Sequence, residues 1–346
     1  MTSVELHAEQ SAMRREAAEA GTAVTRFLAH NEKNLKALAE RLRAYPPNVV
    51  VTCARGSSDH AATFGKYLVE TRLGIPVSSA APSVASVFAS DVRRTGSVLV
   101  AISQSGRSPD LLATVESHRA AGAYVVALVN QPDSPLEKLA DCFLPLCAGP
   151  ELSVAATKSF VVSLAALAAI VAWWSEDEAL KDALHGLPAL LDQAYARDWT
   201  ALVDALAPAN NLLVVGRGYG LSVAQEAALK LKETCGLHAE AFSSAEVRHG
   251  PMAIVGEGFP ILALATSDAS GDDVRAVAGE FSGRGARVLL ADCSQSAGTL
   301  PAVPAHPVIE PILLVQSFYS AVETLARARG MEPDNPPFLR KVTETL

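Results

Sequence analysis

The chain reads as an α/β protein of two tandem domains, each a parallel sheet flanked by helices, and three observations predict this. Apolar segments of strand length alternate with helical ones and run uninterrupted, as in Val98-Leu99-Val100-Ala101-Ile102, so both faces of each sheet must be covered. The order then repeats: Arg55-Gly56 and Arg217-Gly218, 162 positions apart, each follow a Val-rich strand and precede a helix. Ala121-Gly122-Ala123-Tyr124-Val125 has its echo in Arg284-Gly285-Ala286-Arg287-Val288, 163 positions on, a period too long for a solenoid. A length of 346 residues with 49% hydrophobic content also suffices for two cores of ordinary size.

Taken in order, residues 1–45 form a helical segment rich in Ala, Glu, Arg and Leu, which Pro46-Pro47 ends. The first domain covers 46–175, with strands at 49–53, 75–79, 98–102 and 124–129, a helix from about 59 and another over 109–121. The apolar run 159–174 is too short to cross a bilayer comfortably and is bounded by Lys158 and Glu176, so it reads as a buried helix. A helical linker over 176–202, a second domain over 203–332 and a tail over 333–346 complete the chain.

Composition narrows the function. A net charge of −8 leaves no broad basic surface for nucleic acid, and the first ten residues lack the basic-then-apolar pattern of a secretion signal. A cytoplasmic protein with no nucleic-acid and no membrane partner is expected. Cys53, Cys142, Cys147, Cys235 and Cys293 are scattered and odd in number, which suggests buried free thiols and neither disulfides nor a metal site.

The densest chemistry lies in Ser103-Gln104-Ser105-Gly106-Arg107-Ser108-Pro109-Asp110, where a strand empties into hydroxyls, a glycine and a helix start. Side-chain donors and free backbone N–H groups then surround one point, which suits an anion such as phosphate. Arg55-Gly56-Ser57-Ser58-Asp59 has the same form, and loops at the carboxyl ends of neighbouring parallel strands share one crevice. Serines that merely cap two helices are the plainer alternative. In the second copy Thr266-Ser267-Asp268 stands where the first has Ser103-Gln104-Ser105, and a carboxylate repels phosphate, so only the first half should hold it.

Glu226, Lys230 and Glu233 fall at i, i+4 and i+7, one stripe of a helix, which is either a reactive face or a solvated one with weak ion pairs. His249 precedes Gly250-Pro251, so a turn can expose its ring for proton transfer, although most lone histidines are structural. The tail Asp334-Asn335-Pro336-Pro337-Phe338-Leu339-Arg340-Lys341 either lies loose in solvent or folds over a site and delivers an amine.

Together these segments resemble the sugar isomerase (SIS) family, within it the isomerase half of glutamine–fructose-6-phosphate aminotransferase and the SIS-type glucosamine-6-phosphate deaminases. The match runs in order from about Met13 to the end and includes Gly56-Ser57-Ser58, Ser103-Gln104-Ser105-Gly106, Ala148-Gly149-Pro150-Glu151, Val154-Ala155-Ala156-Thr157-Lys158, Ala228-Leu229-Lys230-Leu231-Lys232-Glu233, His238-Ala239-Glu240, His249-Gly250-Pro251 and the tail. The resemblance implies two tandem SIS domains, each a flavodoxin-like αβα sandwich. It implies that Gly56, Ser57, Ser58, Ser103, Gln104, Ser105 and Ser108 hold the 6-phosphate of a hexose while Val154 supplies backbone contacts. Glu233 would move a proton between C1 and C2 beside Glu226 and Lys230. His249 would open the pyranose ring from the neighbouring subunit of a homodimer, and Lys341 would approach the carbonyl from a tail over the active site. No cofactor is implied.

Three departures from the family pattern affect detail: Ala156 stands for a frequent serine, Arg340 for a small residue, and Glu16-Ala17-Ala18-Glu19-Ala20-Gly21 only partly matches. The first 47 residues are too short for a glutaminase domain, which turns the expectation from synthesis to the reverse sense. That is deamination of glucosamine 6-phosphate to fructose 6-phosphate and ammonia. A phosphosugar aldose–ketose isomerase, an aminotransferase-type isomerase subunit, a fructosamine-phosphate deglycase and a non-catalytic sugar-phosphate sensor are the alternatives.

Overall fold

In the computed structural model, residues 10–93, 96–294 and 298–341 are described. Two helices open the chain, α1 (Ala12–Ala18) and the long α2 (Ala20–Ala44). The first half then alternates as β1 (Val49–Cys53), α3 (Ser57–Leu73), β2 (Val77–Ser79), α4 (Pro82–Ser86), β3 (Ser97–Ser103), α5 (Pro109–Ala120), β4 (Tyr124–Val129), α6 (Pro135–Leu139) and β5 (Cys142–Pro145). Helices α7 (Lys158–Trp174), α8 (Glu178–Tyr195) and α9 (Thr200–Leu206) lead to the second half. It comprises β6 (Asn211–Gly216), α10 (Tyr219–Cys235), β7 (His238–Ser243), β8 (Pro260–Ala265), α11 (Ala269–Gly283), β9 (Arg287–Asp292) and α12 (Glu310–Ala328). Two 3-10 turns, Glu246–His249 and Pro251–Ile254, lie between β7 and β8.

Both sheets are wholly parallel, in the orders β2-β1-β3-β4-β5 and β7-β6-β8-β9. Side chains along a strand alternate between faces, and here the alternation separates cores. Val50, Val98, Val100, Val126 and Leu128 join Leu212, Val214, Leu262 and Leu264 in one large core with α2, α3, α7, α8, α10 and α12. Val51, Leu99, Val125 and Ala127 face the other way, under α5, and Leu213, Val215 and Ile261 lie under α11. The two sheets therefore share a central helical layer. All of α7 is buried, as its apolar run predicts, and among the described residues no helix is long and apolar enough to cross a membrane.

The duplication extends to backbone angles. Gly56 caps α3 at φ 55°, ψ −132°, and Gly218 caps α10 at φ 56°, ψ −128°. Each half also pairs the arginine before that glycine with an aspartate in the helix that follows the second strand on, α5 after β3 and α11 after β8: Arg55 with Asp110 at 2.7 Å and Arg217 with Asp273 at 2.5 Å.

Several details differ from the sequence reading. The strand expected at 75–79 starts at Val77, because Pro76 lacks an N–H for the ladder. The five-residue helices α4 and α6 and the strand β5 were not anticipated, being too short to carry a period. Of the five free thiols, Cys142 and Cys147 are only half-buried, a correction to the expectation that all are buried.

Gly106 sits at φ +64°, and a Cβ there would lie 2.6 Å from Ser134 Oγ and 2.9 Å from Val129 Cγ1. We expect Gly106→Ala to destabilise the fold by about 1–3 kcal/mol. Urea unfolding measures this, and an unchanged midpoint would contradict the account.

Candidate active site

The carboxyl ends of β1 and β3 open into a cleft of about 280 Å³, and the two serine loops meet there. Gly56, Ser57, Ser58, Ser103, Gln104, Ser105 and Ser108 all line it. The capping alternative fails on geometry: α3 is capped by Gly56, and Ser108, at the cap of α5, makes no side-chain bond to that helix. Ser103 Oγ accepts from Gly106 N at 2.9 Å, which folds the loop while leaving the hydroxyl proton to donate. Arg55 also lines the cleft, its Nε and Nη2 donating to the buried Asp110 Oδ2 at 3.0 and 2.7 Å. The sequence reading places Arg55 in the repeat and at the head of the second serine loop, but not its pairing with Asp110, although that partner recurs with it.

Facing the loops, α10 presents its stripe. Glu226 and Lys230 are completely buried, so this is no solvated helix face. Glu226 Oε1 accepts from Ser57 Oγ and Lys230 Nζ, each at 3.0 Å, and from Tyr319 OH at 3.3 Å, while Oε2 meets His60 Nδ1 at 2.9 Å. Lys230 Nζ donates also to Ser57 Oγ at 3.0 Å and to Glu233 Oε2 at 2.7 Å, which uses all three of its protons. Burial alone would push the Glu226 carboxyl up, but Lys230 and His60 outweigh it and bring the pKa down to about 2. Burial alone would likewise discharge Lys230, and the two carboxylates reverse this and raise its pKa.

Glu233 lines the cleft with its side chain partly exposed, and its Oε1 has no protein partner among the described residues. Ser57 departs from the sequence expectation: it touches the cleft, but its hydroxyl proton is committed to Glu226, which makes it a bridge between clamp and carboxylates. His60 and Tyr319 were missed. The signal for His60 was its place three residues after Ser57, on the same helical face.

The cleft's third wall is the loop before α7 with the tail. Val154, Ala156, Leu339, Arg340 and Lys341 line it. Val154 N donates to Asp334 O at 3.2 Å, so this backbone N–H is engaged by the tail. Asp334 in turn accepts from Ala12 N at 2.7 Å and Met13 N at 2.8 Å, at the N-terminus of α1. Glu16 of α1 receives Leu152 N at 2.5 Å and Ser153 N at 3.2 Å. Lys341 Nζ bonds the buried Glu151 Oε2 at 2.8 Å. Burial pushes the Glu151 carboxyl up, yet Lys341, Ser159 and Thr157 N more than compensate and hold it below the usual range. The described part of the tail, to Lys341, is thus tied to the wall of the cleft by Asp334 and Lys341.

His249 is placed elsewhere. It is exposed at the end of the first 3-10 turn and is not among the residues around this chain's cleft. Arg248 fixes that turn by ion pairs to Asp273 and Glu280, both 3.2 Å. In the second half, Asp268 Oδ1 accepts from Thr266 Oγ1 at 2.8 Å, Ser270 Oγ at 2.6 Å and Ser270 N at 3.1 Å, and Glu310 Oε2 accepts from Ser267 N at 2.7 Å. The chain's own carboxylates take the donors that the first half turns to its cleft. Among the described residues no three His, Cys, Asp or Glu side chains are placed to hold a metal ion.

Because the Glu226 pKa lies below its ordinary 4.5, its ionisation supports folding above pH 4.5, and that support is lost as pH falls toward 2. Glu226→Gln should be less stable at pH 7 and show a flatter loss of stability over this interval than the wild type. Unfolding midpoints measured from pH 7 to 2.5 test it, and parallel curves would contradict it.

The SIS domain model matches residues 45–172 and 205–326. The isomerizing glutamine–fructose-6-phosphate aminotransferase of Zymomonas mobilis is 33% identical over 311 residues, 84% of this chain and 51% of that protein. The chain spans about half the length of the curated relatives it matches. Among solved structures, a Silicibacter pomeroyi DSS-3 protein assigned as a phosphosugar isomerase is 44% identical with a TM-score of 0.90, covering 94% of this chain and 100% of that one. The C-terminal domain of glucosamine-fructose-6-phosphate aminotransferase from Francisella tularensis is 25% identical with a TM-score of 0.84, over 96% and 100%. Matched along both halves, the chain belongs to the SIS domain family and carries two SIS domains in tandem.

Proposed function

We propose that the protein is an aminosugar-phosphate deaminase/isomerase that takes glucosamine 6-phosphate to fructose 6-phosphate and ammonia. The observation that carries this reading is Glu233: one oxygen is held by a lysine with no proton to spare, and the other is open to the cleft opposite the serine loops. A hexose anchored by its phosphate at Ser58, Ser103, Gln104, Ser105 and Ser108 lays C1 and C2 toward that oxygen. Glu233 takes the proton from C2 of the open-chain aldehyde, the C2–H electrons form a C1=C2 double bond as the carbonyl oxygen takes up a proton to give an enaminol, and the same carboxyl returns its proton to C1 while the C2 amino group gives one up and becomes an imine. The resulting imine at C2 adds water and releases ammonia. Lys230, positively charged between the two carboxylates, holds Glu233 Oε2 in place.

The names of the relatives, which join fructose 6-phosphate to an amino group, agree with this substrate class. Those names also favour a second reading, an isomerase half that runs the same proton transfer toward amination. In both readings His249 opens the ring of a substrate bound by the partner in a homodimer, which suits its exposure on a clamped turn.

Glu233→Gln should lower kcat for ammonia release about 100- to 10,000-fold while sugar-phosphate affinity changes less than about threefold. Absence of ammonia and fructose 6-phosphate from wild-type enzyme supplied with glucosamine 6-phosphate would end the deaminase reading. A shared site makes a further demand: refolding Glu233→Gln together with His249→Asn should restore about one quarter of wild-type activity, since mixed dimers hold one intact site. No recovery on mixing would refute the shared site.

A further inference from the structure

We infer that His60 is a positioning residue for the proton transfer, acting through Glu226 and Lys230 on Glu233. The inference rests on the reading of Glu233 as the base. Glu226 is 0% exposed, and its two oxygens are unequally served. Oε1 accepts from Ser57, Lys230 and Tyr319, whereas Oε2 has His60 Nδ1 as its one partner among the described residues. A buried carboxylate oxygen with no donor is strongly disfavoured, and the group turns about its last torsion to share the donors that remain.

That rotation reaches the base in two bonds. Lys230 divides three protons among Glu226 Oε1, Ser57 Oγ and Glu233 Oε2, so a displaced Oε1 moves the ammonium and with it the oxygen of Glu233 that it holds. His60 lies on the first turn of α3, the helix that also carries Ser57, and it does not line the cleft. It therefore ties the first domain to the carboxylates of α10 without touching substrate. The bond to a carboxylate sets the tautomer, with Nδ1 carrying the proton.

The test uses the whole chain and two readouts, ammonia release from glucosamine 6-phosphate and exchange of the C1 proton of fructose 6-phosphate with deuterated water. His60→Leu should lower kcat for both about 10- to 100-fold with KM changed less than about threefold, since a hydrogen bond to a buried charge is lost. His60→Asn keeps an N–H donor at the place of Nδ1 and should recover to within about fivefold of wild type. His60→Gln carries its amide one carbon farther and should fall below His60→Asn, which preserves the comparison should the leucine variant fold poorly. Wild-type kcat in His60→Leu or His60→Gln, or equal impairment of all three, would overturn the inference. Proton exchange without ammonia release in the wild type would remove the deaminase reading and leave His60 testable by exchange. A crystal structure of the leucine or glutamine variant is independent of turnover, and a Lys230–Glu233 contact still near 2.7 Å there would also overturn it.

Discussion

A carboxylate with no access to water is the constraint on which this molecule turns. Removing Glu226 from solvent costs several kcal/mol unless donors replace the water, and no single element could supply enough of them. They come from Ser57 and His60 on α3, Lys230 on α10 and Tyr319 on α12, so one buried charge joins both domains and the central helical layer. The seam is therefore specified by direction as well as by apolar area. A slip of one helix by a turn would strand the carboxylate, whereas an alanine-rich contact alone would tolerate it.

The same constraint shapes the site. Lys230 is held charged by the carboxylates on either side, and it fixes one oxygen of Glu233, which lines the cleft beside it. Holding Glu233 from behind leaves its open oxygen facing the cleft. On the far side, α1 performs the matching task for the substrate wall, gathering the loop before α7 through Glu16 and the tail through Asp334.

How far the sequence could show this depends on the range of the interactions. The serine loops were legible because strand, turn and helix start are local, and every residue assigned to the clamp does line the cleft. The stripe Glu226-Lys230-Glu233 was visible as a stripe, but its burial was not, since the groups that bury and satisfy it lie on α3 and α12. Tyr319 was hidden inside an apolar helix, where a hydroxyl adds nothing to the period. The tail's attachment was equally silent, because Asp334 finds its donors at α1, more than three hundred residues earlier. His249 is a residue whose assigned role no single chain displays.

The second half offers a contrast in how an anion site is kept. Asp268 and Glu310 supply from within the covalent chain the acceptors that the serine loops of the first half leave open, so their donors meet a partner at unvarying effective concentration. One crevice is thus occupied by the chain's own carboxylates, while the other keeps its hydroxyls and backbone donors turned to the cleft. The duplicated unit thus serves once as a closed frame and once as an open mouth.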